Sequence, residues 1–124
     1  MALKRLVSAI DDERNDIFIH IDRKQIELPR LQVKCSRLFL LDAERVSVFW
    51  GDVSVVAAEF ALMAFAHKHG DYAYYHLLSG VDLPLKSQNA IHDFFETHHG
   101  KEFIGFYDGA DLSASLVRKV QRYH

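Results

Sequence analysis

An α/β fold with a mostly parallel sheet and flanking helices follows from three features of this sequence. Segments with helical spacing of apolar residues alternate with short β-branched and aromatic runs, the pattern of strands joined by helical crossovers. One helical segment is apolar nearly all round and so belongs inside the molecule. No internal repeat, low-complexity tract or linker interrupts the 124 residues. One domain over residues 1–124 is therefore expected.

The elements can be justified in order. Leu3, Leu6, Val7 and Ile10 have helical spacing. The polar residues 11–15 form a loop. Residues 16–21, Asp-Ile-Phe-Ile-His-Ile, are a strand that stops at Asp22-Arg23-Lys24. Residues 38–41 are a weaker extended segment. Residues 45–50 alternate and predict a strand closed by Gly51. The strongest helix covers residues 53–69, with Val55, Val56, Ala57, Phe60, Ala61, Leu62, Met63 and Phe65 on all sides and Gly70 in a C-cap position. Residues 72–78 are an aromatic-rich strand, and residues 79–84 a tight turn. Ser87 caps a helix with Ile91, Phe94 and Phe95 on one side, ended by Gly100. A further strand is predicted at 102–106, and a helix at 112–124 from Leu116, Val117 and Val120.

Composition narrows the class. The chain is 49% hydrophobic and 26% charged, which is ordinary for a folded domain and excludes a disordered one. Its formal net charge is −2, and the basic residues form no stripe, which argues against nucleic acid as a partner. The single cysteine, Cys35, excludes an intrachain disulfide framework and suits a reducing compartment. No apolar run reaches the length of a membrane span, and the N-terminus lacks the apolar centre of a signal peptide. A cytoplasmic location is the expectation.

In parallel sheets ligands bind beyond the carboxyl ends of the strands. Three stretches fall there. His20-Ile21-Asp22-Arg23-Lys24 offers a carboxylate for a base or ribose hydroxyl and cations for phosphate, or else a solvated charge cluster. Phe49-Trp50-Gly51-Asp52-Val53-Ser54 joins a strand to the apolar helix. Gly51 permits close approach or an unusual backbone angle, and Trp50, the only tryptophan, either stacks on a flat ring or belongs to the core. Ser79-Gly80-Val81-Asp82-Leu83-Pro84 is a turn with one carboxylate; it has neither dinucleotide-binding nor Walker spacing, and no nucleophile-elbow frame. The pairs His67/His69 and His98/His99 join no carboxylate or cysteine set suited to zinc, so surface histidines are expected. No D-x-D triplet follows a strand, and no metal is expected.

Taken in order, these stretches resemble the core-2/I-branching glycosyltransferase family, which includes β-1,6-N-acetylglucosaminyltransferases, peptide O-xylosyltransferases and bacterial relatives. The resemblance is carried by His20-Ile21-Asp22-Arg23-Lys24, by Phe49-Trp50-Gly51-Asp52-Val53-Ser54, and by Tyr74 to Ser87 with its Leu-Ser-Gly-x-Asp-x-Pro element; Lys101-Glu102-Phe103-Ile104 also fits. It covers nearly the whole chain. It implies a GT-A-like, Rossmann-like fold, a uridine-diphosphate sugar donor of the N-acetylglucosamine or xylose class, a glycan or other hydroxyl acceptor, inversion at the anomeric carbon, and no need for a D-x-D motif or divalent metal. By resemblance Asp22 contacts uridine with Arg23 nearby, Val48, Phe49, Trp50 and Gly51 line the nucleotide pocket, and Ser79, Gly80 and Asp82 form a turn near the donor sugar, where Asp82 either approaches the ligand or only fixes the turn. In a eukaryotic relative the compartment would be the Golgi lumen.

The resemblance also implies a chain incomplete at both ends. The family begins with a strand before the first helix seen here, and its catalytic glutamate and diphosphate-facing basic residues lie in a later part. No residue here is therefore assigned as catalytic base, and the chain alone is expected to be inactive. An interrupted sheet would offer an open edge or apolar face to a second chain. The rival class is a non-catalytic nucleotide-binding or partner-binding α/β domain. A flavodoxin-like regulatory domain is weaker, because the strand before the first helix is missing.

Overall fold

The computed structural model of the chain describes residues 2–103. Two compact units divide it, residues 1–92 and 93–124. Within the described residues the order is α1 (Ala2–Ala9), β1 (Asp16–His20), β2 (Arg37–Leu41), α2 (Ser54–His67) and α3 (Gln88–Thr97). The architecture is α/β: a two-stranded parallel sheet with three helices.

The register pairs Asp16 with Arg37 and His20 with Leu41. Alternation along β1 then sorts its side chains to two faces. Ile17 and Ile19 are buried with Val7 of α1, and Leu3, Ile10, Leu38 and Leu40 pack around them. Each such aliphatic side chain is worth about 1.5–3 kcal/mol when fully buried. Phe18 takes the other face. It stacks on Phe39 with centroids 4.7 Å apart, and Phe65 of α2 meets it edge-on at 5.8 Å. His69 and Tyr72 complete that aromatic cluster. At the amino end of the sheet, Asp16 pairs with Arg37 and accepts a 2.6 Å bond from the Tyr72 hydroxyl, which desolvation and this carboxylate push up to about 12.

The structure departs from the sequence reading in several places. Residues 45–50 form no strand. Their backbone groups are taken by side chains instead: Val46 N–H donates to His20 Nε2, Phe49 N–H to Ser54 Oγ, and Lys24 Nζ donates to the Val48 carbonyl. Residues 72–78 are also not a strand; side-chain contacts hold them, such as Tyr72 against Phe18 and Tyr75. Glu102 and Phe103 are in no strand. Residues 104–106 of that predicted strand and the helix predicted at 112–124 lie outside the described residues.

α2 is less buried than its composition predicts. It packs on β1 with one side, Ala58 and Ala66 are buried, and Phe60 is 67% exposed. Among the described residues, two strands are too narrow to cover a helix that is apolar all round. The helix also ends earlier, at the αR cap Lys68, and Gly70 has no positive φ. By contrast, Ser87 caps α3 as predicted, with Ala90 N–H donating to its Oγ at 3.3 Å, and Gly100 follows at φ +78°. In the second unit, the rings of Phe94, Phe95, His98 and Phe103 cluster.

Asp11 organises the loop entering β2, a role the sequence did not signal. Its carboxylate accepts bonds from Lys34 N–H (2.6 Å), Cys35 N–H (3.0 Å), Ser36 N–H (2.8 Å) and Ser36 Oγ (2.8 Å). These bonds, that of the Ser36 amide first, hold the carboxyl well below its usual range. A depressed folded-state pKa contributes stability that is present above the ordinary value near 3.8 and is lost as pH falls through the folded value. Asp11→Ala should therefore lower the thermal midpoint by about 4–8 °C at pH 7, and the gap to wild type should close in strong acid. Calorimetry across pH checks this; a gap that widened in acid would contradict it.

Candidate functional site at the carboxyl end of the sheet

β1 delivers His20 to the carboxyl edge of the sheet, and residues 21–24 turn there. The Gln25 N–H to Asp22 C=O bond at 2.9 Å and the Lys24 N–H to Asp22 Oδ1 bond at 2.9 Å close that turn. The segment after β2 lies alongside. Arg23 N–H donates to the Val46 carbonyl at 3.0 Å, Val46 N–H to His20 Nε2 at 2.9 Å, and Arg23 Nε to Ser47 Oγ at 3.1 Å. Lys24 Nζ lies 3.3 Å from Asp22 Oδ2 and 4.3 Å from the centre of the Phe49 ring. The first two predicted stretches thus form one site.

Its electrostatics follow from these bonds. The Lys24 backbone N–H, then the Val48 N–H and the Lys24 ammonium, hold the Asp22 carboxyl below its usual range, so it is ionised at neutral pH. Burial lowers the His20 pKa. Because Val46 N–H donates to Nε2, that nitrogen carries no proton, and the neutral ring keeps its proton on Nδ1.

The chain then turns sharply. Asp52 N–H bonds the Phe49 carbonyl at 3.3 Å, and Gly51 sits at φ +72° with open space where a Cβ would be. Glycine is needed here for the backbone angle, not for close approach to another part of the protein. Asp52 Oδ1 accepts from Ser54 N–H at 2.8 Å, which stabilises the entry to α2. Trp50 is 100% exposed and is no core residue among those described, whereas Phe49 faces Lys24.

The third stretch is built as its own turn. Asp82 N–H donates to the Ser79 carbonyl at 3.1 Å, and the Asp82 carboxylate accepts from Ser79 N–H at 2.7 Å. Gly80 lies beside Leu3 of α1. Past the C-terminal end of α1, Asn15 Nδ2 donates to the Ile10 carbonyl at 2.9 Å, and Leu3 packs on the core of Val7, Ile17 and Ile19. Asp82 thus has the turn-fixing role that the sequence left open beside a ligand role. Val48 contributes its backbone carbonyl, which accepts from Lys24 Nζ. Sequence reading missed Ser47 and the His20–Val46 bond. The only signal for either was the placement of polar residues among apolar ones in these segments.

Among the described residues no group of three or more His, Cys, Asp or Glu side chains could hold a metal ion, and no helix is long and apolar enough to cross a membrane. A cleft of about 880 Å³ lined by Asp11, Gln32, Lys34 and Cys35 lies at the opposite, amino end of the sheet.

An ionised carboxylate, flanking cations and an aromatic ring thus lie beyond the carboxyl ends of the parallel strands, where ligands bind in α/β sheets. The profile of the Branch family, Core-2/I-Branching enzyme, matches residues 1–116, and the chain belongs to this family of glycosyltransferases. Comparison with curated proteins gives no match, and comparison with solved structures gives none.

The histidine geometry is testable by NMR. A lowered pKa means that the folded state resists protonation, so stability is lost as pH falls below the ordinary value of 6.5. His20 should titrate below that value and show the Nδ1–H tautomer at neutrality. A midpoint at or above 6.5 would contradict the burial of the ring, and an Nε2–H tautomer would contradict the Val46 bond.

Proposed function

We propose that this chain supplies the uridine-recognising side of the donor site in an inverting, metal-independent glycosyltransferase of GT-A-like fold. The donor is a uridine-diphosphate sugar of the N-acetylglucosamine or xylose class, and the acceptor a glycan or other hydroxyl compound. The observation that carries this reading is Asp22: an ionised carboxylate at the carboxyl end of β1, held beside the Phe49 ring by Lys24. A fixed carboxylate accepts hydrogen bonds from uracil N3–H or ribose hydroxyls, and an aromatic edge or face covers a flat base. Arg23 lies next to it, tied through Nε to Ser47, as a cation for the ribose–phosphate side.

In the reaction a carboxylate base removes the acceptor hydroxyl proton, and the acceptor oxygen attacks the anomeric carbon. The bond from that carbon to the diphosphate oxygen breaks on the opposite face, and uridine diphosphate leaves with the electron pair. Fixed cations stabilise that leaving group in place of a metal. The exposed thiol of Cys35 suits a reducing, cytoplasmic compartment.

Calorimetry tests the assignment. Uridine diphosphate should bind more tightly than adenosine or guanosine diphosphate and should do so in excess chelator. Asp22→Ala should weaken uridine diphosphate by about tenfold, the loss of a charged hydrogen bond. Equal binding of adenosine diphosphate, or binding that needs manganese or magnesium, would overturn the reading.

A further inference from the structure

We propose that Lys24 is a positioning residue of this site: its ammonium fastens the segment after β2 to the turn after β1, and so holds Asp22 and Phe49 together without itself facing a phosphate. The inference rests on the uridine reading above. An ammonium has three N–H donors. Lys24 uses one on the Val48 carbonyl, and its charge is met on two further sides, by Asp22 Oδ2 at 3.3 Å and by the Phe49 ring with its centroid at 4.3 Å. Asp22 belongs to the turn after β1, while Val48 and Phe49 belong to the segment after β2.

The other bonds across this gap reach less far. Arg23 N–H and His20 meet Val46, and Arg23 Nε meets Ser47. Lys24 alone among these reaches Phe49. The Asp22 carboxylate is itself fixed by the Lys24 backbone N–H at 2.9 Å, so the ammonium reaches across from a held turn. Removing the ammonium takes the donor from the Val48 carbonyl and the cation from the Phe49 ring. A lysine engaged on three sides is turned to the protein and away from a diphosphate, whereas sequence alone left both cations of this stretch open between phosphate and a solvated charge cluster.

The test compares Lys24→Met, which keeps the length of the stem, with Lys24→Arg, which keeps the charge. The Lys24 side chain is 50% exposed, so neither change removes a core atom, and circular dichroism checks the fold. Calorimetry measures uridine and uridine diphosphate separately, and amide hydrogen exchange is followed at Val48 without ligand. The proposal expects Lys24→Met to weaken uridine and uridine diphosphate by the same factor, about tenfold. Val48 exchange should be faster in that variant, and Lys24→Arg should restore both properties. Weakening of uridine diphosphate alone would place Lys24 on the phosphate and overturn the proposal, as would unchanged Val48 exchange. If the wild-type chain binds neither compound, the uridine reading fails, and the Val48 exchange of the two variants alone decides whether Lys24 fastens the segments.

Discussion

Parallel pairing of Asp16–His20 with Arg37–Leu41 is the constraint on which the rest of the described structure depends. It brings both carboxyl ends to one side, so the turn at Asp22 and the segment at Val46 leave the sheet as neighbours. It also sorts the faces. Ile17 and Ile19 go to α1, while Phe18 and Phe39 stack toward α2. A parallel pair needs a long connection back to the amino end. Here residues 21–36 make that return without a helix, and Asp11 receives them there by accepting three backbone N–H bonds.

The site is held together differently from the sheet. Between residues 20–24 and 46–49 only one backbone pair bonds directly, Arg23 N–H with the Val46 carbonyl. His20, Asp22, Arg23 and Lys24 supply the remaining links through their side chains. Each of these links is sensitive to charge or protonation in a way that a ladder of amide bonds is not. Charged and polar side chains, not a backbone ladder, therefore build this part of the fold.

How much of this was legible in the sequence depends on which force decides each element. β1, α1 and α3 were readable because apolar periodicity and a serine cap act locally, and α2 because its apolar stretch is long and nearly unbroken. The strand expected at 45–50 was not formed, because its alternation of apolar and polar residues fits an extended chain of either kind. What satisfied its backbone was a histidine 26 residues earlier, which no local pattern reveals. Tyr72 reads as a strand residue by propensity, but its hydroxyl is bound to Asp16, a contact spanning 56 residues. Of the candidate site, Asp22 and Arg23 were marked out by their position after β1, and Phe49 by family resemblance and by a strand that does not form. The separate turn at Ser79–Asp82 was legible from its residues, and its packing on Leu3 was not.

The proposed function requires a uridine nucleotide to sit beyond the carboxyl end of the sheet. The most direct measurement is amide-resolved NMR during titration of the chain with uridine diphosphate, following residues 20–24, 46–51 and 31–35 together. Shifts concentrated at Asp22, Arg23, Val48 and Phe49, with the amino-end cleft around Lys34 and Cys35 silent, are the predicted result. Shifts centred on residues 31–35, with Asp22 and Phe49 unmoved, would contradict it.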